Sequence, residues 1–487
     1  MRCTAARGSL PDVGEPAEIT EAEARPAWLG PASLVFIAVV SLLLLIERPV
    51  WDVDIFWQLR LGELILARGG PVAAEPFAAK HLGEHLPSLA WGGQALYAAL
   101  REAGGWSLLR TFDALCWLGG FWAAAWAARR RGASALGLAM ALALGLIAAL
   151  PQASVRPQSL AALGFGLLIA LSMRPMRPPL RLGLAVLLLI TWQNLHPSVA
   201  IALVWLGALA ALRWVQALRR RAGPWPWVES LLVAMAAVAM VLTPEGLGIF
   251  SVSAANAAAS RAIGVSEWLP LWNPVNRQVA VPILAVALIA GWLARRSGRI
   301  AADEVVPALA LVALTLAGYR FVLFWAIAMV PVIARAVPPR PEAVLPLWLR
   351  TVPLALAALL GIVLPTRFDP SLPLGPIARL RETGVQGTIY AHFPWGGPLI
   401  DAGWPAWHVA YDGRYYRYTD AEWQAYAAAS RGELTLPQVE AEWHPAAFLL
   451  DPDWNAPLIA ALRADHTRWR ELPGAGEGAP VTFVAVR

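Results

Sequence analysis

Charged residues are scarce in this chain, at 15% of 487 residues, whereas a soluble domain usually carries about a quarter. Cysteine is scarcer still, because Cys3 and Cys116 are the only two, too few for a disulfide framework. Hydrophobic residues instead make up 58% of the chain. This composition argues against an ordinary soluble domain and against a disulfide-stabilised secreted protein, and it favours a membrane protein.

Long apolar stretches recur from Pro31 to Leu364 and then stop. A membrane span needs roughly twenty mostly apolar residues to cross about 30 Å of hydrocarbon. The pattern predicts a polytopic α-helical membrane protein with about eleven spans, at residues 31–48, 106–128, 133–150, 158–173, 180–196, 198–217, 226–243, 279–294, 304–319, 320–337 and 346–364. The predicted domains are a disordered N-terminus (1–30), a transmembrane body (31–364) with a first outer loop (49–105), and a water-facing domain (365–487).

The net charge of +6 comes from basic residues that are nearly all arginine and that lie in short clusters between apolar stretches, which argues against nucleic-acid binding. Counted along eleven spans, five clusters fall on the side of the N-terminus: Arg129-Arg130-Arg131, Arg174/Arg177/Arg181, Arg219-Arg220-Arg221, Arg295-Arg296/Arg299 and Arg335/Arg340. Cytoplasmic loops carry an excess of arginine and lysine, so this side is predicted to be cytoplasmic. The odd number of spans then places the C-terminal domain outside the cytoplasm.

The first outer loop opens with Trp51-Asp52-Val53-Asp54. Two carboxylates at this spacing can jointly bind a divalent cation, or one can act as a base while the other binds a hydroxyl. Alternatively, both simply lie in headgroup water and cap the helix that follows. Residues 58–67 have apolar side chains at helical spacing and predict an amphipathic helix along the membrane surface.

The C-terminal residues alternate short strand and helix patterns, which predicts an extracytoplasmic α/β domain. Strands are expected at residues 387–393, 408–411, 446–450 and 481–486. The segment Asp412-Gly413-Arg414-Tyr415-Tyr416 follows a strand end, where open α/β sheets tend to bind ligands. The alternative, which we favour from the sequence alone, is a tight turn in which Asp and Gly have a conformational role.

Several short motifs occur in order along most of the chain: Asp52-Val53-Asp54-Ile55-Phe56-Trp57, Arg156-Pro157-Gln158, Trp192-Gln193-Asn194-Leu195-His196, Glu267-Trp268, and Trp395-Gly396-Gly397 with Asp412-Gly413-Arg414. With them the sequence resembles the C-type (GT-C) glycosyltransferases, which are polytopic enzymes that use polyprenyl-phosphate sugars, and within them a bacterial branch. The resemblance implies a GT-C-like fold, a bacterial inner (plasma) membrane location, a lipid-linked sugar donor and an extracytoplasmic acceptor.

The resemblance also implies roles for individual residues. Asp52 or Asp54 would activate the acceptor or organise the substrate with a divalent cation, Mg²⁺ or Mn²⁺. Arg156 and Arg320, at the outer ends of predicted spans, would bind the phosphate leaving group by charge-assisted hydrogen bonds. The alternative for Arg156 is an anchor that extends from a helix end to water.

Five further residues complete the predicted substrate site: Gln158, Asn194, His196, Glu267 and Trp268. Asn194 and His196 either contact a sugar hydroxyl or stabilise the turn between two spans. Glu267 is either an acid or ligand for the substrate, or one partner in a salt bridge at the rim. Trp268 either stacks on a sugar or belongs to the interfacial aromatic belt.

The leading interpretation is therefore an enzyme that transfers a sugar from a polyprenyl-phosphate donor in the membrane to an extracytoplasmic lipid, glycan or protein. Two alternatives stay open. The first is a non-catalytic GT-C-like scaffold of the cell envelope. The second is a carrier of lipid-linked substrates, which would be expected to show internal repeats and broken spans; the sequence has no convincing repeat.

Overall fold

The computed structural model describes residues 26–220, 225–474, 476 and 478–486. Within this part of the chain, helices dominate up to residue 363: α1 (Leu29–Glu47), α2 (Asp54–Arg68), α3 (Trp91–Arg130), α4 (Ala135–Ala149), α5 (Gln158–Met173), α6 (Pro178–Leu195), α7 (Ala200–Arg220), α8 (Trp227–Ala239), α9 (Gly248–Ile263), α10 (Arg277–Ser297), α11 (Ala302–Ala317), α12 (Val322–Ala336) and α13 (Leu347–Val363). Most of the segment predicted as a disordered N-terminus lies outside the described residues.

Five helical segments among the described residues are long and apolar enough to cross a membrane: Leu29–Glu47, Ala135–Gln152, Ala200–Arg219, Pro274–Ser297 and Tyr319–Ala336. Shorter apolar helices include α5, α8 and α13. The chain is thus mostly helical with several candidate spans, as expected of a polytopic membrane protein. Each of the eleven predicted spans overlaps a helix, but the count of eleven stays a prediction.

Close contact between helix backbones holds the centre of the bundle together. A Cβ atom on Gly166 of α5 would lie 2.1 Å from the carbonyl oxygen of Gly120 in α3, so only glycine allows these helices to approach so closely. Helix α12 runs through the core, and Phe324 packs there against Phe165 and Trp192. Helix α3 bends at Gly104 and Gly105, where its backbone leaves the helical conformation.

The C-terminal residues form a five-stranded sheet with flanking helices. The strands are β1 (Gly387–Ala391), β2 (Trp407–Val409), β3 (Pro445–Leu450), β4 (Trp469–Glu471) and β5 (Val481–Ala485), and the helices are α14 (Leu374–Glu382), α15 (Gly396–Gly403), α16 (Asp420–Arg431), α17 (Leu436–Trp443) and α18 (Ala456–Ala464). The strand order is β2-β1-β3-β5-β4, with β1 parallel to both neighbours and β5 antiparallel to both.

The sheet domain packs directly on the first outer loop. Helix α15 lies against α2, and a Cβ atom on Gly397 would lie 2.1 Å from the carbonyl oxygen of Val53. Ala78 of the loop forms a parallel bridge with Val409 of β2. These contacts place the turn after β2 beside the start of α2, where Asp52 and Asp54 lie.

Candidate active site

A cavity of about 400 Å³ lies between the ends of the bundle helices, helix α9 and the C-terminal domain. Its size is within the range of about 300–1,000 Å³ that is usual for small-molecule sites. Seven of the nine residues that the sequence predicts for the site line this cavity: Asp54, Arg156, Gln158, His196, Glu267, Trp268 and Arg320. They come from five separate connections between helices, so the fold gathers residues that are up to 266 positions apart in the sequence.

Asp52, Asp54 and Arg156 form one charged cluster at the wall of the cavity. The Asp52 side chain is fully buried, pairs with Nε of Arg156, and accepts a hydrogen bond from the backbone N–H of Asp54 at 2.9 Å. Asp54 Oδ2 accepts from Arg156 Nη2 at 3.1 Å, and Asp54 Oδ1 accepts from Trp57 Nε1 at 3.2 Å. Of the two carboxylates, only Asp54 lines the cavity. Asp52 lies outside the lining and orients Asp54 by accepting the hydrogen bond from its backbone N–H.

The backbone of Arg156 is held on both sides of its α-carbon. Its N–H donates to Asp113 Oδ1 at 3.1 Å, and its carbonyl oxygen accepts from the Tyr97 hydroxyl at 2.8 Å. Tyr97 and Asp113 both belong to α3, and Pro157 follows in the chain before α5 begins. The guanidinium of Arg156 therefore extends from a fixed point. Here the guanidinium contacts the two carboxylates, and its contact with a substrate phosphate stays a prediction.

Burial raises the pKa of the Asp54 carboxyl to about 7. The charges of Asp52 and Glu267 also raise this pKa, while Arg156 and the hydrogen bond from Trp57 lower it. Because removal from water disfavours the ionised form, Asp54 changes its charge close to neutral pH. A carboxylate with this property and an open face toward a cavity suits proton transfer.

A second cationic group lies on the facing side of the cavity. Nη1 of Arg320 is 3.6 Å from Oε1 of Glu267, and the Arg320 guanidinium lies 3.7 Å from the ring centroid of Trp268. The indole face of Trp268 is thus covered by a cation, and Glu267 takes part in a salt bridge as well as lining the cavity. Arg320 thus adds a second guanidinium to the lining of the cavity, beside that of Arg156.

His196 and Asn194 have different surroundings, although they are two residues apart. His196 lines the cavity, and its Nδ1 lies 2.9 Å from Ser198 Oγ. Asn194 lies outside the cavity lining. Its side chain accepts from Trp91 Nε1 at 2.8 Å and donates to the carbonyl oxygen of Leu242 at 2.9 Å, so it ties neighbouring loops together.

The C-terminal domain closes one side of the cavity with Gly413, Arg414, Tyr415 and Tyr416, which the sequence alone assigned to a tight turn. A Cβ atom on Gly413 would lie 2.2 Å from Asp54 Oδ1, so the turn packs directly against the carboxylate. The fully buried Arg414 donates to Asp412 and to Glu75 of the first outer loop, each at 2.6 Å. In the sequence, the Asp-Gly-Arg motif marked this turn, but no pattern identified Glu75 as the partner of Arg414.

The side chains around Asp52 and Asp54 do not have the arrangement of a usual metal-binding site. Among the described residues, no group of three or more His, Cys, Asp or Glu side chains could hold a metal ion. Magnesium and manganese require about six ligands, mostly oxygen, and here both carboxylates are paired with Arg156. A divalent cation at this pair stays a prediction from the sequence.

Comparisons with known proteins identify the fold. No family model matches the chain, and no curated protein matches it. Among solved structures, the chain is similar to an oligosaccharyltransferase from Archaeoglobus fulgidus that was crystallised with a tethered acceptor peptide containing an NVT sequon. The TM-score is 0.53 at 10% sequence identity, and the match covers 94% of this chain and 74% of the archaeal protein. The chain therefore shares its fold, which is of the GT-C type, with this archaeal oligosaccharyltransferase.

Proposed function

We propose that this protein is a membrane glycosyltransferase that transfers a sugar from a polyprenyl-phosphate donor to an extracytoplasmic acceptor. The observation that carries the proposal is the shared cavity in which Asp54 lies with Arg156, Arg320 and His196 under the C-terminal domain. The GT-C fold supports the same class of reaction.

The reaction would need a base for the acceptor and positive charge for the leaving group. Asp54 would accept the proton of an acceptor hydroxyl or amide as the acceptor atom attacks C1 of the sugar. The bond between C1 and the phosphate oxygen would break, and its electron pair would leave with the polyprenyl phosphate. Arg320, which lines the cavity, would bind that phosphate, and His196 would hydrogen-bond a sugar hydroxyl.

The proposed orientation has the N-terminus in the cytoplasm and the C-terminal domain outside the inner membrane of a bacterium. The arginine clusters support this side for the N-terminus. The cavity lies at the opposite ends of the helices, because α4 separates the two positions: the cluster at Arg131 precedes α4, and Arg156 follows it. A donor that remains in the bilayer would then present its phosphate and sugar at the outer surface.

The acceptor is proposed only as a class. The archaeal structure contains an acceptor peptide, so an enzyme of this fold can hold an acceptor as large as a peptide. In this chain, a lipid, a glycan or a protein would enter the cavity that α9 and the turn at Gly413–Tyr416 border. Partners other than membrane lipid, the lipid-linked sugar and this acceptor are not part of the proposal.

The experiment compares wild type, Asp54→Asn and Asp453→Asn in proteoliposomes that contain radiolabelled hexoses linked to undecaprenyl phosphate, with membrane extract as the source of acceptor. Asp453 is an exposed aspartate outside the cavity and serves as the matched control. Loss of a general base usually slows a reaction by about 100-fold or more, so Asp54→Asn should consume the donor at least that much more slowly. Asp453→Asn should match wild type.

Two outcomes would count against this function. Donor consumption by Asp54→Asn at the wild-type rate would remove Asp54 from the catalytic machinery. Failure of the folded wild-type protein to cleave any donor in the panel would favour the envelope scaffold, and movement of intact donor across the membrane would favour the carrier.

A further inference from the structure

The pair Asp52 and Asp54 has the spacing of a metal-binding motif, yet a side chain of the protein lies between the two carboxylates. We infer that the Arg156 guanidinium is the resident cation of this site, so that the carboxylates are organised without a divalent metal ion. The inference deepens the proposed glycosyltransferase function and, for its activity measurements, rests on it.

The contacts of Arg156 cover both carboxylates at once. Nε pairs with Asp52 Oδ2, and Nη2 donates to Asp54 Oδ2 at 3.1 Å. The other oxygen of each carboxylate also has a donor, the backbone N–H of Asp54 for Asp52 and the indole N–H of Trp57 for Asp54. Three of the four carboxylate oxygens thus accept a hydrogen bond from the protein, and the fourth, Asp52 Oδ2, lies in ion-pair contact with Arg156. A metal ion could bind here only by displacing one of these groups.

Displacement of Arg156 is disfavoured by the way its backbone is held. Asp113 accepts from its N–H, and Tyr97 donates to its carbonyl oxygen, so the α-carbon cannot move away without breaking both bonds. If the side chain alone turned away, a largely buried guanidinium, 22% exposed, would lose both of its anionic partners. Leaving a buried charge without a partner is strongly unfavourable.

The surrounding residues also add no free acidic or imidazole ligand to the two carboxylates. Glu267, the other acidic residue that lines the cavity, pairs with Arg320 at 3.6 Å, and the imidazole of His196 shares a hydrogen bond with Ser198. Within the described part of the chain, side chains that could ligate a metal do not come together in groups of three. A guanidinium, in contrast, matches two carboxylates with a planar set of donors and needs no further ligands.

Binding of Mn²⁺ to purified protein in detergent tests the inference without any assay of activity. Electron paramagnetic resonance measures the loss of the free Mn²⁺ signal for wild type, Arg156→Gln and Arg320→Gln. Wild type should bind no Mn²⁺ at this site. Arg156→Gln frees two adjacent carboxylates and should bind a single ion that is lost again when Asp54→Asn is added. Arg320→Gln frees only Glu267 and should bind none, which makes it the matched control.

Stoichiometric Mn²⁺ binding by the wild-type protein, abolished by Asp54→Asn, would overturn the inference, and this measurement needs no variant of Arg156 to fold. Absence of binding by a folded Arg156→Gln would also overturn it. The two carboxylates would then not form a cation site that Arg156 occupies in place of a metal ion.

A second arm uses donor cleavage in proteoliposomes. Treatment of wild type with a chelator should leave the rate unchanged, whereas Arg156→Gln should be slower by about tenfold or more and should recover in part with added Mn²⁺. Abolition of wild-type activity by the chelator, with recovery in Mn²⁺, would contradict the inference. If wild type cleaves no donor at all, the proposed function fails, and the Mn²⁺ binding result still decides the question about Arg156.

Discussion

Two clusters of buried charge lie at opposite ends of the helix bundle, and they differ in what their carboxylates face. At the arginine-rich end, the fully buried Glu304 accepts from Arg335 at 2.5 Å, from Arg131 at 3.4 Å and from the backbone N–H of Ala301 at 3.0 Å. At the other end, Asp54 has donors on one side and a cavity of about 400 Å³ on the other.

The comparison teaches how to separate a structural charge from a functional one in this protein. A buried carboxylate whose donors surround it is stabilised as an anion and contributes to folding. A carboxylate that borders open space keeps a face for a bound molecule, and incomplete solvation brings its pKa near neutrality. Substitutions at the two ends should therefore affect different measurements, stability at one and activity at the other.

The largest effect on stability is expected for Glu304→Ala. Removal of this carboxylate takes away the acidic partner of Arg335, whereas Arg131 keeps Asp303 at 3.1 Å, and breaking a buried ion pair in this way usually costs about 3–5 kcal/mol. The free energy of unfolding, measured by denaturant titration in detergent, should fall by that amount. Donor cleavage per folded molecule should not change.

A surface pair provides the control for that experiment. Glu433 pairs with Arg431 in full contact with solvent, so Glu433→Ala should leave the unfolding transition where it is. If Glu304→Ala were as stable as wild type while losing activity, the distinction between the two charge clusters would be wrong.

Much of the architecture is predictable from the sequence, because hydrophobic periodicity and arginine placement are local signals. Each predicted span overlaps a helix, and four strands of the C-terminal sheet lie close to the predicted positions. The fifth strand, β4, was missed: it has three residues, two of them exposed and charged, at the edge of the sheet. Helix α9 was missed too, since its many small residues have neither span-like hydropathy nor a strong helical pattern.

The candidate site was predictable to the extent that topology brings loops together. Counting spans places Asp54, Arg156 and Arg320 on one side of the membrane, and the structure has all three at one cavity. The contacts among them could not be predicted. Glu75 and Arg414 are 339 residues apart in the sequence, and no local pattern connects them. The ion pairs of Arg156 likewise depend on how α3 holds its backbone.

A substitution at Gly413 tests whether the C-terminal turn acts directly on the site. The new Cβ atom of Gly413→Ala would lie 2.2 Å from Asp54 Oδ1, so either the carboxylate or the turn must shift. A displacement of about 1 Å at a reacting group can reduce a rate by about 100-fold, and we expect a loss of about 10- to 100-fold in donor cleavage. The unfolding transition should change much less than for Glu304→Ala.

Gly70→Ala is the matched control, because Gly70 lies in the first outer loop, which also contains Asp54, and a Cβ atom there meets open space. Its donor cleavage should equal that of wild type. A Gly413→Ala protein with full activity would mean that the C-terminal turn covers the cavity without constraining Asp54.

The smallest expected effect is a shift in the pH dependence of donor cleavage. A base must be ionised to accept a proton, and the pKa of Asp54 is raised to about 7, chiefly by burial. The rate should therefore be constant above pH 7 and fall about tenfold for each pH unit below it.

Glu267→Gln removes a negative charge that raises this pKa, so its ascending limb should lie at lower pH than that of wild type. Since Glu304 lies at the far end of the bundle, Glu304→Ala should keep the wild-type limb. A wild-type rate that stayed constant down to pH 5 would show that ionisation of Asp54 does not limit donor cleavage, and the contrast between the two ends would then not concern proton transfer.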